Sequence, residues 1–283
     1  MTAPTTMRAV DADVRAVESD ARFSDLLAAE WIKLWSLRST FWAFAATMVV
    51  VLAISISTAY GDYSKFPDFG AEQQEYFRMF GAVGDSFPTG SATFLALGTG
   101  AIGAIAILAE FTTGMIRTTF TAVPARRSVM VAKVAVVAGT TTAFGVIAVL
   151  TSYGAVQWIL SGRDAAAGLG HPGVLRLLTA SVVLALVSAL VGMGMGAIIR
   201  HSVLTIVATI TLLFVVPTLL NEREHLTATI LHTMVFQAWQ RLTYDEITGE
   251  PFPWTKTGAW SVLAVWALVA TALTVFSSDR RDQ

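Results

Sequence analysis

The side chains able to do chemistry are few. The chain has 283 residues, four histidines and no cysteine. The histidines are His171, His201, His225 and His232. A haem- or metal-binding span needs histidines inside helices at facing depths. These four fall in loops or at the ends of apolar stretches. His225 and His232 offer two ligands at most, whereas a protein zinc site takes three or four. Gly98-Thr-Gly100-Ala-Ile-Gly103 matches G-x-G-x-x-G. That pattern binds a dinucleotide only after a strand and at the start of a helix, and here it lies inside a long apolar stretch. The P-loop pattern G-x-x-x-x-G-K-[ST] is absent, and the dipeptide Gly-Lys never occurs. The chain therefore has no P-loop of its own for ATP. No serine, histidine and carboxylate set suited to hydrolysis within a membrane stands out either.

The remaining chemistry lies in 39 charged side chains, 19 basic and 20 acidic, only 14% of the chain. A soluble domain carries about 25%. Six windows hold no Asp, Glu, Lys or Arg: 39–61, 86–109, 134–162, 177–199, 201–221 and 257–278. Together they make up 142 residues, half the chain. Such a pattern excludes an ordinary globular enzyme, a disordered chain and a disulfide-stapled secreted domain. About 20 apolar residues in a helix cross a bilayer core, and every window reaches that length. Runs such as Val182 to Val187 are continuously apolar, so a barrel, which needs alternation, fits poorly. The expected fold is an all-α integral membrane protein with six transmembrane helices, at about 41–60, 91–109, 134–160, 177–199, 202–220 and 257–276.

With an even number of spans, both ends of the chain lie on one side. If that side is the cytoplasm, the inner segments carry 12 Lys and Arg and the outer segments seven. This follows the positive-inside rule. Lys33, Arg38, Arg126, Arg127, Lys133, Arg280 and Arg281 sit close to inner span ends. The net charge of −1 suggests no nucleic-acid partner.

Residues 1–22 read as a mobile cytoplasmic tail, and 23–283 as a single six-span membrane domain. Residues 24–38 predict an amphipathic helix capped by Ser24, with Phe23, Leu27, Trp31 and Leu34 on its apolar face. Glu30 is out of place near that face, which calls for snorkelling or a basic partner. The loop 110–133 holds a second short helix, with Met115, Ile116, Phe120 and Val123 on one face and Pro124 as its stop. An exposed apolar face rimmed by charge marks a protein contact. Pro217 is expected to kink span 5. The 16 uncharged residues from His225 to Gln240 are too short to cross comfortably. They suggest a re-entrant or interfacial hairpin, with Leu226, Ile230, Met234 and Trp239 sharing a face. Gly100 with Ala96 and Ala104, and Gly192 and Gly196 with Ser188, recur every four residues and suit close helix packing. The spans contain no internal Asp, Glu, Lys or Arg, which argues against a proton-driven carrier.

Three features occur together: Ala29-Glu30-Trp31-Ile32-Lys33-Leu34 with Arg38-Ser39-Thr40; the loop with Glu110, Gly114, Arg117-Thr118-Thr119, Pro124, Arg126-Arg127 and Lys133; and a long segment between spans 5 and 6. This set resembles the ABC-2 type permeases, the membrane subunits of many bacterial ABC exporters. The resemblance implies a type V or ABCG-like arrangement in the bacterial cell membrane. Residues 24–38, including Glu30 and Lys33, would form the connecting helix. Residues near Thr112 to Val123 would form the coupling helix, docking in a separate ATP-binding subunit. Phe111, Met115, Ile116 and Phe120 would anchor that contact. Arg117, Arg126 and Arg127 would pair with partner carboxylates or lipid phosphates, and Glu110 with Arg117. Two permease chains, as a homodimer, and two ATPases would complete the transporter. ATP and Mg would be bound by the partner, so this chain would bind no cofactor and catalyse no reaction. The other reading is a six-span sensor, immunity or scaffold protein that transports nothing.

Overall fold

The computed structural model describes residues 22–113, 126–220, 224–244 and 252–277. Among them every regular element is helical, and six helices are long and apolar enough to cross a membrane. The expected tail and the short helix of the 110–133 loop lie outside the described residues, apart from Glu110 to Thr113 and Arg126 to Lys133.

Spans 1 to 4 are longer than their uncharged windows, and spans 5 and 6 are slightly shorter than theirs. Span 1 is Arg38–Lys65, span 2 Thr89–Thr113, span 3 Arg126–Ser161, span 4 Val174–Ile199 and span 6 Lys256–Phe276. Charged residues sit in the end turns, where side chains can reach the lipid–water boundary or one another. Span 5 runs from Ser202 to Leu219 and contains a π turn at Thr211–Val215. The irregularity precedes Pro217 instead of coinciding with it. A proline ring clashes with the carbonyl four residues back. That carbonyl belongs to Leu213, inside the widened turn, which relieves the clash. The face bearing residues 22 and 277 is called the near side below, and the opposite one the far side.

Span 4 is the hub, touching spans 2, 3, 5 and 6, while span 1 packs between spans 2 and 3. Spans 2 and 4 approach backbone to backbone. A side chain at Gly192 would strike the carbonyl of Gly100, and one at Gly103 would strike the carbonyl of Ala189. A methyl at Gly196 would overlap Ile107 of span 2. Thr209 and Leu213 of span 5 close over Gly100. All these small residues thus serve packing within one chain. In lipid the hydrophobic effect does not drive helices together, so close contact and hydrogen bonds must hold them. Ser55, Ser91 and Ser152 supply such bonds between spans 1, 2 and 3. Ser152 Oγ donates to Ser55 Oγ, which lies 2.7 Å from Ser91 Oγ.

The far side is covered by the segment between spans 5 and 6. It forms two short helices, His225–His232 and Val235–Thr243, broken at an extended Met234. The expected single face does not form. Leu226 and Ile230 are exposed, whereas Met234 and Trp239 are buried. Ala228 and Leu231 face inward in their place. The second helix is pinned to span 4: Trp239 Nε1 donates to Ser181 Oγ at 2.9 Å, and Arg176 Nε donates to Leu242 O at 2.6 Å.

Candidate functional site

On the near side, the helix before span 1 runs from Phe23 to Ser36. It starts one residue before Ser24. Its N-cap is Arg22, whose backbone N–H donates to the Asp25 carboxylate at 3.1 Å. The buried stripe also differs from the expected one. Glu30 and Leu34 are buried, Leu27 is half-buried against the core, and Phe23 and Trp31 are exposed. A face containing a carboxylate points inward, which an apolar pattern alone cannot reveal.

Glu30 is buried because two lysines meet it. Lys33, three residues on and on the same helical face, donates to Glu30 Oε1 at 2.7 Å. Lys133 of span 3 pairs with Glu30 Oε2. Both ammonium groups also meet Glu110 of span 2, through its Oε1, at 3.0 Å from Lys33 and 2.9 Å from Lys133. Glu30, Glu110 and Lys133 have side chains only 3–4% exposed, and Lys33 is 26% exposed. Two carboxylates and two ammoniums make the cluster neutral. Neutrality and short bonds are what allow it to be buried, since each ion costs several kcal/mol to desolvate. Burial alone would lower the pKa of Lys33. The carboxylates of Glu30 and Glu110 outweigh it and hold that amine above its ordinary value. Glu110 Oε2 is buried without a hydrogen-bond partner and borders a cavity of about 110 Å³ that the four charged residues help to line.

The location matters more than the charges. Glu110 lies one turn before the end of span 2, and Lys133 two turns into span 3. These are the two roots of the 114–125 loop. The cluster therefore ties both roots to a helix outside the spans. Its geometry links three helices through four ion pairs. Glu110 pairs with Lys33 and Lys133; its expected partner Arg117 lies outside the described residues. One expectation changes here: the helices are not free of Asp, Glu, Lys and Arg, since Glu110 and Lys133 lie within spans 2 and 3. In the sequence Lys133 counts as an inner charge and as part of the resemblance, with no partner assigned to it. Its position directly before the window 134–162, like that of Glu110 directly after 86–109, was the available signal.

The other anticipated residues are dispersed. Phe111 is half-buried with the guanidinium of Arg200 4.9 Å above its ring. Arg126 and Arg127 open span 3, and Arg127 lies 5.6 Å from the ring of Phe276. Met115, Ile116 and Phe120 lie outside the described residues. On the far side, His232 stacks on Trp254 with ring centres 4.7 Å apart, and His225 meets Phe252 edge-on at 5.1 Å. Among the described residues no group of three or more potential ligands could share a metal ion.

No protein family model matches the chain, and no curated protein matches it. What the fold and the cluster define is a helical, multi-span membrane chain with a buried ionic tie at one end.

Proposed function

We propose that the chain is the membrane-spanning permease subunit of an ATP-driven ABC exporter. A separate ATPase would bind ATP and Mg and supply the energy. Two copies of each subunit would form the working transporter, and the pathway would carry an amphipathic or hydrophobic substrate. The observation that best supports this reading is the cluster of Glu30, Lys33, Glu110 and Lys133. It joins both roots of the loop expected to carry the coupling helix to the helix expected to connect to span 1.

In this mechanism ATP closes the partner ATPases on each other. The motion displaces the 114–125 loop, and the cluster passes it to spans 1, 2 and 3 as a rigid-body shift. Phe111, Met115, Ile116 and Phe120 are the apolar contacts, and Arg117, Arg126 and Arg127 the polar ones. The two far-side helices close the outer end of the pathway. The near side is the cytoplasm.

Replacement of Arg117 and Phe120 together by Ala tests the coupling assignment. The expected result is loss of co-purification with the ATPase while the permease itself stays folded. Unchanged co-purification and unchanged transport would refute it.

A further inference from the structure

Glu110 and Phe111 are neighbours in the last turn of span 2, and their side chains meet different parts of the molecule. Glu110 enters the ionic cluster with Lys133 of span 3 and Lys33 of the first helix. Phe111 lies under Arg200, with 4.9 Å between its ring centre and the guanidinium. Arg200 closes span 4, two residues before span 5 begins at Ser202. Its Nε donates to Ala197 O at 3.2 Å. Its Nη2 donates at 2.8 Å to the carbonyl of Ser277, the residue that ends span 6. One side chain therefore joins the near-side ends of spans 2, 4 and 6. All three are C-terminal helix ends, where a cation is favoured and carbonyls need donors.

The backbone singles this residue out. Arg200 has φ of 56° and ψ of 19°, in the left-handed region, and its N–H donates to Gly196 O at 3.0 Å. Helices commonly end on such a residue, and glycine adopts it without steric cost. A glycine here would make the same backbone bond and nothing else. Arginine takes on the strain and adds the ring contact and the two carbonyl bonds, and strain held in this way clusters at working parts of a fold. We infer that Arg200 is a positioning residue for the coupling motion, carrying a displacement of the loop root at Phe111 into spans 4 and 6. The inference rests on the permease reading above. The ionic cluster serves spans 1 to 3 on one side of span 2, and Arg200 serves the remaining spans on the other. The ring, the guanidinium and the two carbonyls form one unbroken chain of contacts, as coupling through a packed network requires.

The test uses the full chain in complex with its ATPase in lipid nanodiscs, carrying one nitroxide label at a time. Ser39→Cys reports the start of span 1, and Leu268→Cys, at a position 71% exposed, reports span 6. With Arg200 in place, ATP should change the label's spectrum at both positions. Arg200→Gly suits the left-handed backbone. It should keep the ATPase bound, keep the response at Ser39→Cys and lose the response at Leu268→Cys. Arg200→Lys replaces the planar fork by a point charge and should lose most of the same response, so the outcome does not hang on one variant folding. An undiminished response at Leu268→Cys in either variant overturns the proposal and leaves the permease reading standing. Loss of both responses with the ATPase still bound makes Arg200 a cap of the fold alone, and overturns it as well. No ATP response at either position with Arg200 in place removes the permease reading and the proposal together.

Discussion

Lys133→Met is the sharpest perturbation of the ionic cluster. The ammonium it removes is 4% exposed and meets both Glu30 and Glu110. Methionine fills a similar volume, so packing changes little. Lys33 remains, and one ammonium is left facing two buried carboxylates. Removing one partner from a buried ionic group costs about 3–5 kcal/mol, because the remaining charge is uncompensated. For a chain of this size that lowers the unfolding temperature by roughly 6–15 °C. Lys33→Met removes an ammonium that is 26% exposed, where water screens the interaction, and should cost about 1 kcal/mol. Adding Glu110→Gln to Lys133→Met restores neutrality, with Lys33 opposite Glu30. The double variant should therefore lose less than the two singles together, by about 1–3 kcal/mol. Thermal unfolding of the purified chain, followed by tryptophan fluorescence, reads all of these values. The reasoning fails if Lys133→Met costs under about 1 kcal/mol, if Lys33→Met costs more than it does, or if the two effects simply add.

Gly192→Ala puts a methyl group against the Gly100 carbonyl and should destabilise by about 1–3 kcal/mol or more. Gly139→Ala meets nothing within 4 Å and should be neutral or stabilising by up to about 1 kcal/mol, so a melting comparison separates packing from helix propensity. Trp239→Phe loses the bond to Ser181 and should cost about 1–2 kcal/mol by the same assay. Lys33 has a raised folded pKa, so its contribution is complete below the unfolded value and lost only as the pH rises through the folded one. The melting difference between wild type and Lys33→Met should thus stay flat across neutral pH and shrink only above about 10.5. Because the chain has no cysteine, Ser24→Cys and Leu169→Cys can be labelled singly, and an impermeant maleimide should reach them from opposite sides of the membrane.

The six spans were legible because lipid imposes one rule on backbone and charge alike, and windows such as 177–199 obey it without exception. Span ends were not legible to the residue, because end-turn charges such as Arg38 and Lys65 are tolerated there. The buried face of the first helix was misread for a related reason. A hydrophobic pattern favours Trp31, whereas tertiary ion pairing turns Glu30 inward. Glu30 stood out as an anomaly in the sequence. Its partner Lys133 is 103 residues away, and no local spacing encodes that pairing. The break between the two far-side helices was hidden for another reason: the uncharged stretch from His225 to Gln240 has no proline or glycine to mark it. Thr233 Oγ1 instead bonds back to Ile230 O at 2.6 Å, and Met234 is extended. Gly100 and Gly192 announced close packing, and both sides of that contact lie within one chain.

The central claim is that this chain works as half of an energised pair. Affinity purification of the tagged chain from its native membrane, in mild detergent, tests it most directly. The account predicts a P-loop ATPase recovered at about one copy per permease chain. Recovery of the chain without any ATPase, or cargo movement by the chain alone in vesicles lacking ATP, would contradict it.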